Sequence, residues 1–309
     1  MVRALVTGGA GFIGSNIVRL LLDRGHEVVV IDNLSSGHRS NLAPLPDARL
    51  VEGDVRDAAD VDRAIEGCEV VFHLAASVGN TRSIEHPLED SGINVMGTLT
   101  VLEAARRHGV RKLVFSSSAG IFGELKTVPI REDHPVEPDT PYGASKLGAE
   151  KLCLAYAKLY PLECVCLRYF NVYGVNQRYD AYGNVIPIFA HRMLRDRPVT
   201  VFGDGEQTRD FVNVADVAEA NYLAAMNRGV SGAFNLGSGT RVTINALIGL
   251  MAEAGDLTPA VEHGPPRQGD VRHSLADVSQ ARALLGFEPR VALADGLREY
   301  MTWARAAAV

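Results

Sequence analysis

The chain has 309 residues, 47% hydrophobic and 22% charged, enough to bury a sizeable core as one large α/β unit or two coupled domains. A formal net charge of −6 and a pI near 5.9 exclude an extended nucleic-acid or anionic-membrane surface. No apolar run reaches the roughly 18 residues that span a bilayer. Met1–Thr7 leads straight into a strand-like segment with no signal peptide ahead of it, so a cytoplasmic location is expected. Cys68, Cys153, Cys164 and Cys166 have no metal or redox spacing. Cys164 and Cys166 are expected on opposite faces of a strand, and all four are read as buried thiols of a reducing compartment.

In chain order, Arg3–Thr7 reads as a first strand, followed by a helix from Phe12 to about Arg24 with Ile13, Ile17, Leu20 and Leu21 on one face and Gly25 as its stop. Glu27–Asp32, Arg49–Asp54 and Val70–Ala75 are the next three strands. A long helix from about Asn94 to His108 precedes a fifth strand, Lys112–Ser118. A helix beginning at Tyr142 runs to about Tyr160, and Glu163–Asn171 is a sixth strand. Apolar strands separated by helices predict a doubly wound parallel sheet of Rossmann type, an α/β fold covered on both faces.

The rhythm changes after Asn171. Pro187–Arg195 is expected to be a helix, Val199–Gly205 a short strand and turn, and the Pro- and Gly-rich segment Thr258–Gly269 a loop. Arg209–Val214 and Ala233–Gly237 are expected to return to the main sheet. The predicted organisation is a nucleotide-binding domain over 1–172, with 209–240 partly returning to it, and a smaller interleaved domain over 173–309.

Three motifs converge on one chemistry. Gly8, Gly11 and Gly14 follow a strand and open a helix, as a phosphate turn requires. The turn needs positive φ, and a pyrophosphate needs the backbone N–H groups around Phe12 and Ile13 at the positive helix end. Asp32 ends the second strand, where its carboxylate with neighbouring Asn33 suits the adenosine ribose hydroxyls and repels a 2′-phosphate, favouring NAD over NADP. Asp54, closing the third strand beside Val55, is read as an acceptor for the adenine amino group or as a helix N-cap. Tyr142 and Lys146 lie four residues apart, on one helical face. Lys146 and a positively charged nicotinamide are expected to lower the phenol pKa from about 10 toward the working range of a base. Ser116-Ser117-Ser118 supplies a hydroxyl to orient a substrate alcohol.

With these motifs the chain resembles the extended short-chain dehydrogenases/reductases, and among them the nucleotide-sugar 4-epimerases, from Thr7 to Asp277. The resemblance implies that Ser118 contacts substrate, that Ser116 lies against the nicotinamide, and that Leu74, Ala75 and Ala76 pass over the cofactor. Asn94, at the start of the long helix, and Tyr169 complete the implied NAD contacts. It assigns the nucleotide-sugar side to Asn171, Asn184, Val185, Phe202, Arg209, Arg267 and Asp270, with Ser274 at a position that gates sugar size. Arg82 and Arg178 lie in loops that flank the sugar in relatives and suit a C6 carboxylate. Phe122 stands where a tyrosine is usual. Dehydratases resembling this chain carry an Asp-Glu pair after the strand-five serine, and decarboxylases a glutamate two residues after it. Here Ala119-Gly120 offers no ionisable group. The expected activity is therefore an NAD-dependent UDP-sugar 4-epimerase. A 4,6-dehydratase or UDP-glucuronate decarboxylase is the alternative, and a non-catalytic NAD-binding scaffold a remote third. UDP-glucose, N-acetylated and uronic acid substrates stay open. A homodimer through the helices beginning near Asn94 and Tyr142 is also implied.

Overall fold

The structure is a computed structural model that describes residues 1–180, 183–266 and 271–307. Six short apolar runs become strands β1 (Arg3–Thr7), β2 (Glu27–Asp32), β3 (Arg49–Glu52), β4 (Val70–His73), β5 (Lys112–Ser118) and β6 (Glu163–Tyr169). Between them lie helices α1 (Phe12–Asp23), α2 (Arg39–Leu42), α3 (Ala58–Ile65), α4 (Asn80–Glu85), α5 (Pro87–Ser91), α6 (Thr98–Arg107) and α7 (Pro141–Leu159). The later chain adds β7 (Asn171–Tyr173), α8 (Val185–Met193), β8 (Val199–Phe202), β9 (Thr208–Arg209) and β10 (Phe211–Asn213). It ends with α9 (Val214–Met226), β11 (Gly232–Leu236), β12 (Val242–Thr243), α10 (Ile244–Gly255), β13 (Val261–Gly264), α11 (Ser279–Leu285) and α12 (Leu293–Ala306).

The main sheet has seven strands in the order β11-β6-β5-β4-β1-β2-β3, every neighbouring pair parallel. This is the expected doubly wound α/β fold. Its strands carry almost no polar alternation because both faces are covered. Ala4 and Val6 face the core shared with Ile17 and Leu21 of α1 and Val217 of α9. Leu5 faces the other core, shared with Val61, Val101 and Ala149 of α3, α6 and α7. Strand order reverses between β1 and β4, and the crevice at such a switch point is where ligands bind in open α/β sheets.

Several local expectations are corrected. Cys164 and Cys166 share one face, packed with Cys153, while Val165 points to the other core. The two-residue pleat returns every second side chain to the same side. All four cysteines are free and buried. Asn171 does not extend β6 but opens β7, which pairs with β10 in a separate two-stranded sheet. Only the second of the two expected returns joins the main sheet, as β11 beside β6. Thr258–Gly269 is not wholly loop, since β13 pairs in parallel with β8 and backbone partners there outweigh composition. The long helix begins before Asn94. Pro87 occupies the first turn of α5, the chain continues through a π segment at Gly92–Gly97, and α6 follows directly. The proline was the overlooked start signal.

Beyond β7 a second hydrophobic core forms from Ile186 and Phe189 of α8, Leu247 and Met251 of α10, and Leu297 and Tyr300 of α12. Among the described residues, no helix is long and apolar enough to cross a membrane.

One buried ion pair ties α7 to the sheet. Arg168 of β6 makes a two-pronged contact with Glu150 of α7 at 3.0 and 2.7 Å, with the two side chains 5% and 0% exposed. Ser117 of β5 donates to the same carboxylate at 2.7 Å. Removing one partner of a buried pair leaves the other charge uncompensated. Glu150→Gln is expected to destabilise the protein by about 3–5 kcal/mol in urea unfolding. A loss below about 1 kcal/mol would show that Arg168 finds another partner or water.

Candidate active site

The switch-point crevice is built first from β1. Gly8, just after Thr7, has φ +68 and donates its N–H to the Ile31 carbonyl at 2.8 Å. A Cβ on Gly14 would lie 2.2 Å from the Gly8 carbonyl oxygen, so the start of α1 must carry glycine to reach the turn. A Cβ on Gly8 would meet Ala75 N at 2.8 Å, and the Thr7 hydroxyl accepts the N–H groups of Leu74 and Ala75, both at 3.1 Å. The loops after β1 and β4, the latter running on through Ala76, are thereby pressed together. His73 bridges Thr7 at 2.7 Å and Thr98 at 3.0 Å, and burial pulls its pKa down to about 3, which keeps the ring neutral.

These residues fit a dinucleotide. Gly11 is the N-cap of α1, no side chain among the described residues caps that helix, and its first turn holds no acidic group. The N–H groups of Phe12, Ile13 and Gly14 therefore point toward the crevice at the positive end of the helix dipole, where a pyrophosphate binds. Asp32 accepts from Ala10 N at 2.9 Å and Leu34 N at 2.8 Å. Burial raises its pKa, opposed by those two bonds and by His38. Each oxygen keeps a further lone pair for a ribose hydroxyl.

Asp54 is placed differently from the expectation. β3 ends at Glu52, and Asp54 lies beyond it, gripped by Arg56 at 2.9 and 2.7 Å and by Asn33 Nδ2 at 3.0 Å. The Arg56 guanidinium holds its carboxyl well below the usual carboxylate range. Asp57, not Asp54, caps the next helix. Val55 is buried in the core, leaving its backbone for any contact. Asn94 sits inside the π segment with its amide engaged by Ser77, Asp90 and Ser145, so it holds protein elements together. Tyr169 turns its phenol into the core, 3.0 Å from Asn221 Oδ1, so the hydroxyl is not offered to a cofactor.

The catalytic group comes from the first turns of α7. Thr140 caps the helix by accepting from Gly143 N at 3.2 Å, and Pro141 sets the first turn. A Cβ on Gly143 would lie 2.4 Å from the Gly120 carbonyl oxygen, which forces α7 against the end of β5. Tyr142 and Ser118 flank Gly120, where a Cβ would lie 3.4 Å from Ser118 Oγ and 3.6 Å from the Tyr142 ring. Lys146, 2% exposed, has its Nζ 3.5 Å from Ser116 Oγ and 4.4 Å from the centre of the Phe115 ring. The expected fall of the Tyr142 pKa is not produced by the protein groups. Burial raises it, the neighbouring Ser118 hydroxyl opposes, and the Asp90 charge adds to the rise. Burial also brings Lys146 down to about 8. In a dry pocket desolvation works against both charges at once.

The remaining residues fall on the second unit or between the two. Asn171 donates to the Asp210 carbonyl at 3.0 Å and so supports the β7–β10 pair. Asn184 is the N-cap of α8 and Val185 its first residue, so the backbone N–H groups of this first turn have no intrahelical partner. Phe202 ends β8 against Gly264. Ser274 N donates to the Thr208 carbonyl at 3.1 Å, which sets Ser274 next to Arg209 of β9. Arg82 lies on α4 rather than in a loop and pairs with Asp180 at 2.9 Å. Arg178 reaches Ser40 at 3.3 Å and lies over the Trp303 ring. These contacts brace the cofactor lobe to α12. Arg267 and Asp270 lie outside the described residues. Sequence reasoning missed Thr7, Thr140, Asp90 and Ser145 as organisers of the site. The Asp90/Asn94 spacing of four, and Ser145 beside Lys146, were the available signals.

Comparison with known proteins agrees with this geometry. The family model described as "NAD dependent epimerase/dehydratase family" matches residues 4–237. A UDP-glucose 4-epimerase of Mycolicibacterium smegmatis is 40% identical over 310 residues, covering 98% of each chain. The crystal structure of the Thermotoga maritima UDP-glucose 4-epimerase with UDP-glucose superposes with a TM-score of 0.94 at 40% identity, covering 99% of this chain and 100% of that one. The Thermus thermophilus UDP-glucose 4-epimerase in complex with NAD gives a TM-score of 0.89 at 41% identity, covering 99% of both. A turn, a switch-point crevice and a Ser-Tyr-Lys group arranged in this way, with a match over most of its length, place the chain in the NAD dependent epimerase/dehydratase family.

Proposed function

We propose that the protein is an NAD-dependent UDP-sugar 4-epimerase that inverts C4 through a transient 4-keto sugar. The observation that carries this reading is the group Ser118, Tyr142 and Lys146 beside the glycine turn, with only Ala119 and Gly120 following Ser118. Elimination of water needs an acid and a base, and the decarboxylases this chain resembles carry a glutamate there, whereas epimerisation needs only one proton acceptor and a surface on which the sugar turns over. NAD, when bound, supplies the acceptor for the C4 hydride and the source from which it returns. Ser118 orients the C4 hydroxyl, Tyr142 Oη takes and returns its proton, and the Lys146 charge favours the phenolate. Phe12, Ile13, Gly14 and Asp32 hold the cofactor, with Leu74 to Ala76 along its path.

The sugar nucleotide lies between the lobes, which we divide at 172 with 209–240 counted to the first. Arg209 is suited to its diphosphate, since a guanidinium forms directed paired bonds to phosphate oxygens. Val185 N–H and Phe202 flank the nucleotide. The small Ser274 side chain leaves room at the sugar, and UDP-glucose/UDP-galactose or a 2-acetamido counterpart fits that room. A cytoplasmic location suits the four free buried thiols. A homodimer accounts for Ile84, Leu88 and Met96, which are 61%, 89% and 57% exposed around the helix that carries Asn94.

The deciding experiment offers the purified protein a UDP-sugar deuterated at C4. Interconversion of the C4 epimers, with no net NADH and the label kept in the product, is expected. Stoichiometric NADH with release of a 4-keto sugar, or washing of the label into solvent, would overturn the reading. Tyr142→Phe is expected to lower kcat by about 10² to 10⁴ while UDP-sugar binding, measured by calorimetry, holds. Near wild-type turnover would remove Tyr142 from the mechanism. Asp32→Ala combined with Asn33→Arg is expected to shift preference toward NADP in fluorescence titrations. Equal affinity of the unaltered protein for both dinucleotides would refute the role given to Asp32.

A further inference from the structure

Three elements meet behind the catalytic face: the loop after β4, the helix running through Pro87–Gly97, and α7. Asp90 lies at their junction with 0% exposure. Its carboxylate accepts from Ser145 Oγ at 2.6 Å and from Asn94 Nδ2 at 3.1 Å. Asn94, four residues on, grips Ser77 from both sides, with Ser77 N donating to Oδ1 at 2.9 Å and Nδ2 donating to the Ser77 carbonyl at 3.0 Å. Asn94 Nδ2 also lies 3.0 Å from Ser145 Oγ. The helix passes through its π turn at this point, an irregularity that recurs at functional sites. A buried carboxylate is unfavourable unless it is hydrogen-bonded. Here its donors come from the catalytic helix and from the asparagine that holds the cofactor-side loop.

Ser145 directly precedes Lys146 and follows Tyr142 by three residues. Whatever fixes Ser145 therefore fixes the rotation of the first turns of α7. We propose that Asp90 is a positioning residue for the reaction: through Ser145 and Asn94 it locks the Ser77 loop to the catalytic helix and holds Tyr142 and Lys146 in register with Ser118. This inference rests on the 4-epimerase reading for its rate consequence but not for its geometry. The titratable groups that face Asp90 are Lys146 and Tyr142, both from α7, and its other polar neighbours are Ser77, Asn94 and Ser145. Its negative charge favours the Lys146 ammonium and opposes the Tyr142 phenolate.

The test uses the full chain carrying Asp90→Asn and, separately, Ser145→Ala, which breaks the same link from the other end without touching the carboxylate. Asp90→Asn is expected to lower kcat at least about tenfold with KM changed less than about threefold, as misplacement of reacting groups does. With the charge gone, the ascending limb of the pH profile of kcat/KM should move to lower pH. The Tyr142 phenol, titrated by ultraviolet difference against Tyr142→Phe, should move in the same direction. Ser145→Ala should reproduce the loss in kcat. Either a kcat within twofold of wild type in both variants, or a Tyr142 titration that stays in place in Asp90→Asn, overturns the proposal. A variant that is only less stable, with kcat of its folded fraction and titration unmoved, overturns it too. Failure of the wild type to epimerise any UDP-sugar would count against the proposed reaction alone. The phenol titration would then decide the place of Asp90.

Discussion

Gly143 faces the Gly120 carbonyl with no room for a side chain between them, and much of the site is arranged around that contact. It brings the first turn of α7 onto the end of β5, so that Tyr142 meets Ser118 and Lys146 passes beneath Ser116. Thr140 caps the turn from outside, and eight residues after Tyr142 the Glu150–Arg168 pair fastens the same helix to β6. A helix pinned at its first turn and again at its middle has little freedom to rotate. That rigidity turns two side chains on one helical face into a group with a fixed relation to a third on a strand.

The electrostatics of the site follow from dryness. Lys146, Asp90, Glu150 and Arg168 are all nearly or fully buried, so each charge depends on the protein for solvation. Burial alone works against a phenolate at Tyr142 and against the ammonium at Lys146. The charges that oppose desolvation are therefore strong levers, since they act in a medium that screens them poorly. A site of this kind responds sharply to a cationic ring brought close to the phenol, and it stays guarded against ionisation otherwise.

The second core explains why the substrate side is built separately. Helices α8, α10 and α12 close on each other around Phe189, Met251 and Tyr300, while α9 and β11 pack on the first lobe. The chain crosses between the lobes several times, so the crevice is bounded by elements that cannot separate freely. Arg178, reaching Ser40 and lying over Trp303, is one such brace.

The strands, the glycine turn and the Tyr142–Lys146 pair were readable from the sequence because each rests on local physics: periodicity, positive φ, and the four-residue repeat of a helix. Gly8 needs its left-handed backbone wherever the chain goes next, and a buried parallel strand shows as an unbroken apolar run. Other features depended on partners distant in sequence. That Asn94 is spent on Ser77 and Ser145, that Asn33 reaches Asp54, and that Tyr169 turns to Asn221 are outcomes of packing. Pairing of β13 with β8 overrode a composition rich in proline and glycine, because an edge strand supplied backbone partners. The direction of the Tyr142 shift was also beyond the sequence. Local spacing shows which charges are neighbours along a helix, but only the tertiary structure decides how much water is removed from them, and that removal outweighs the neighbours.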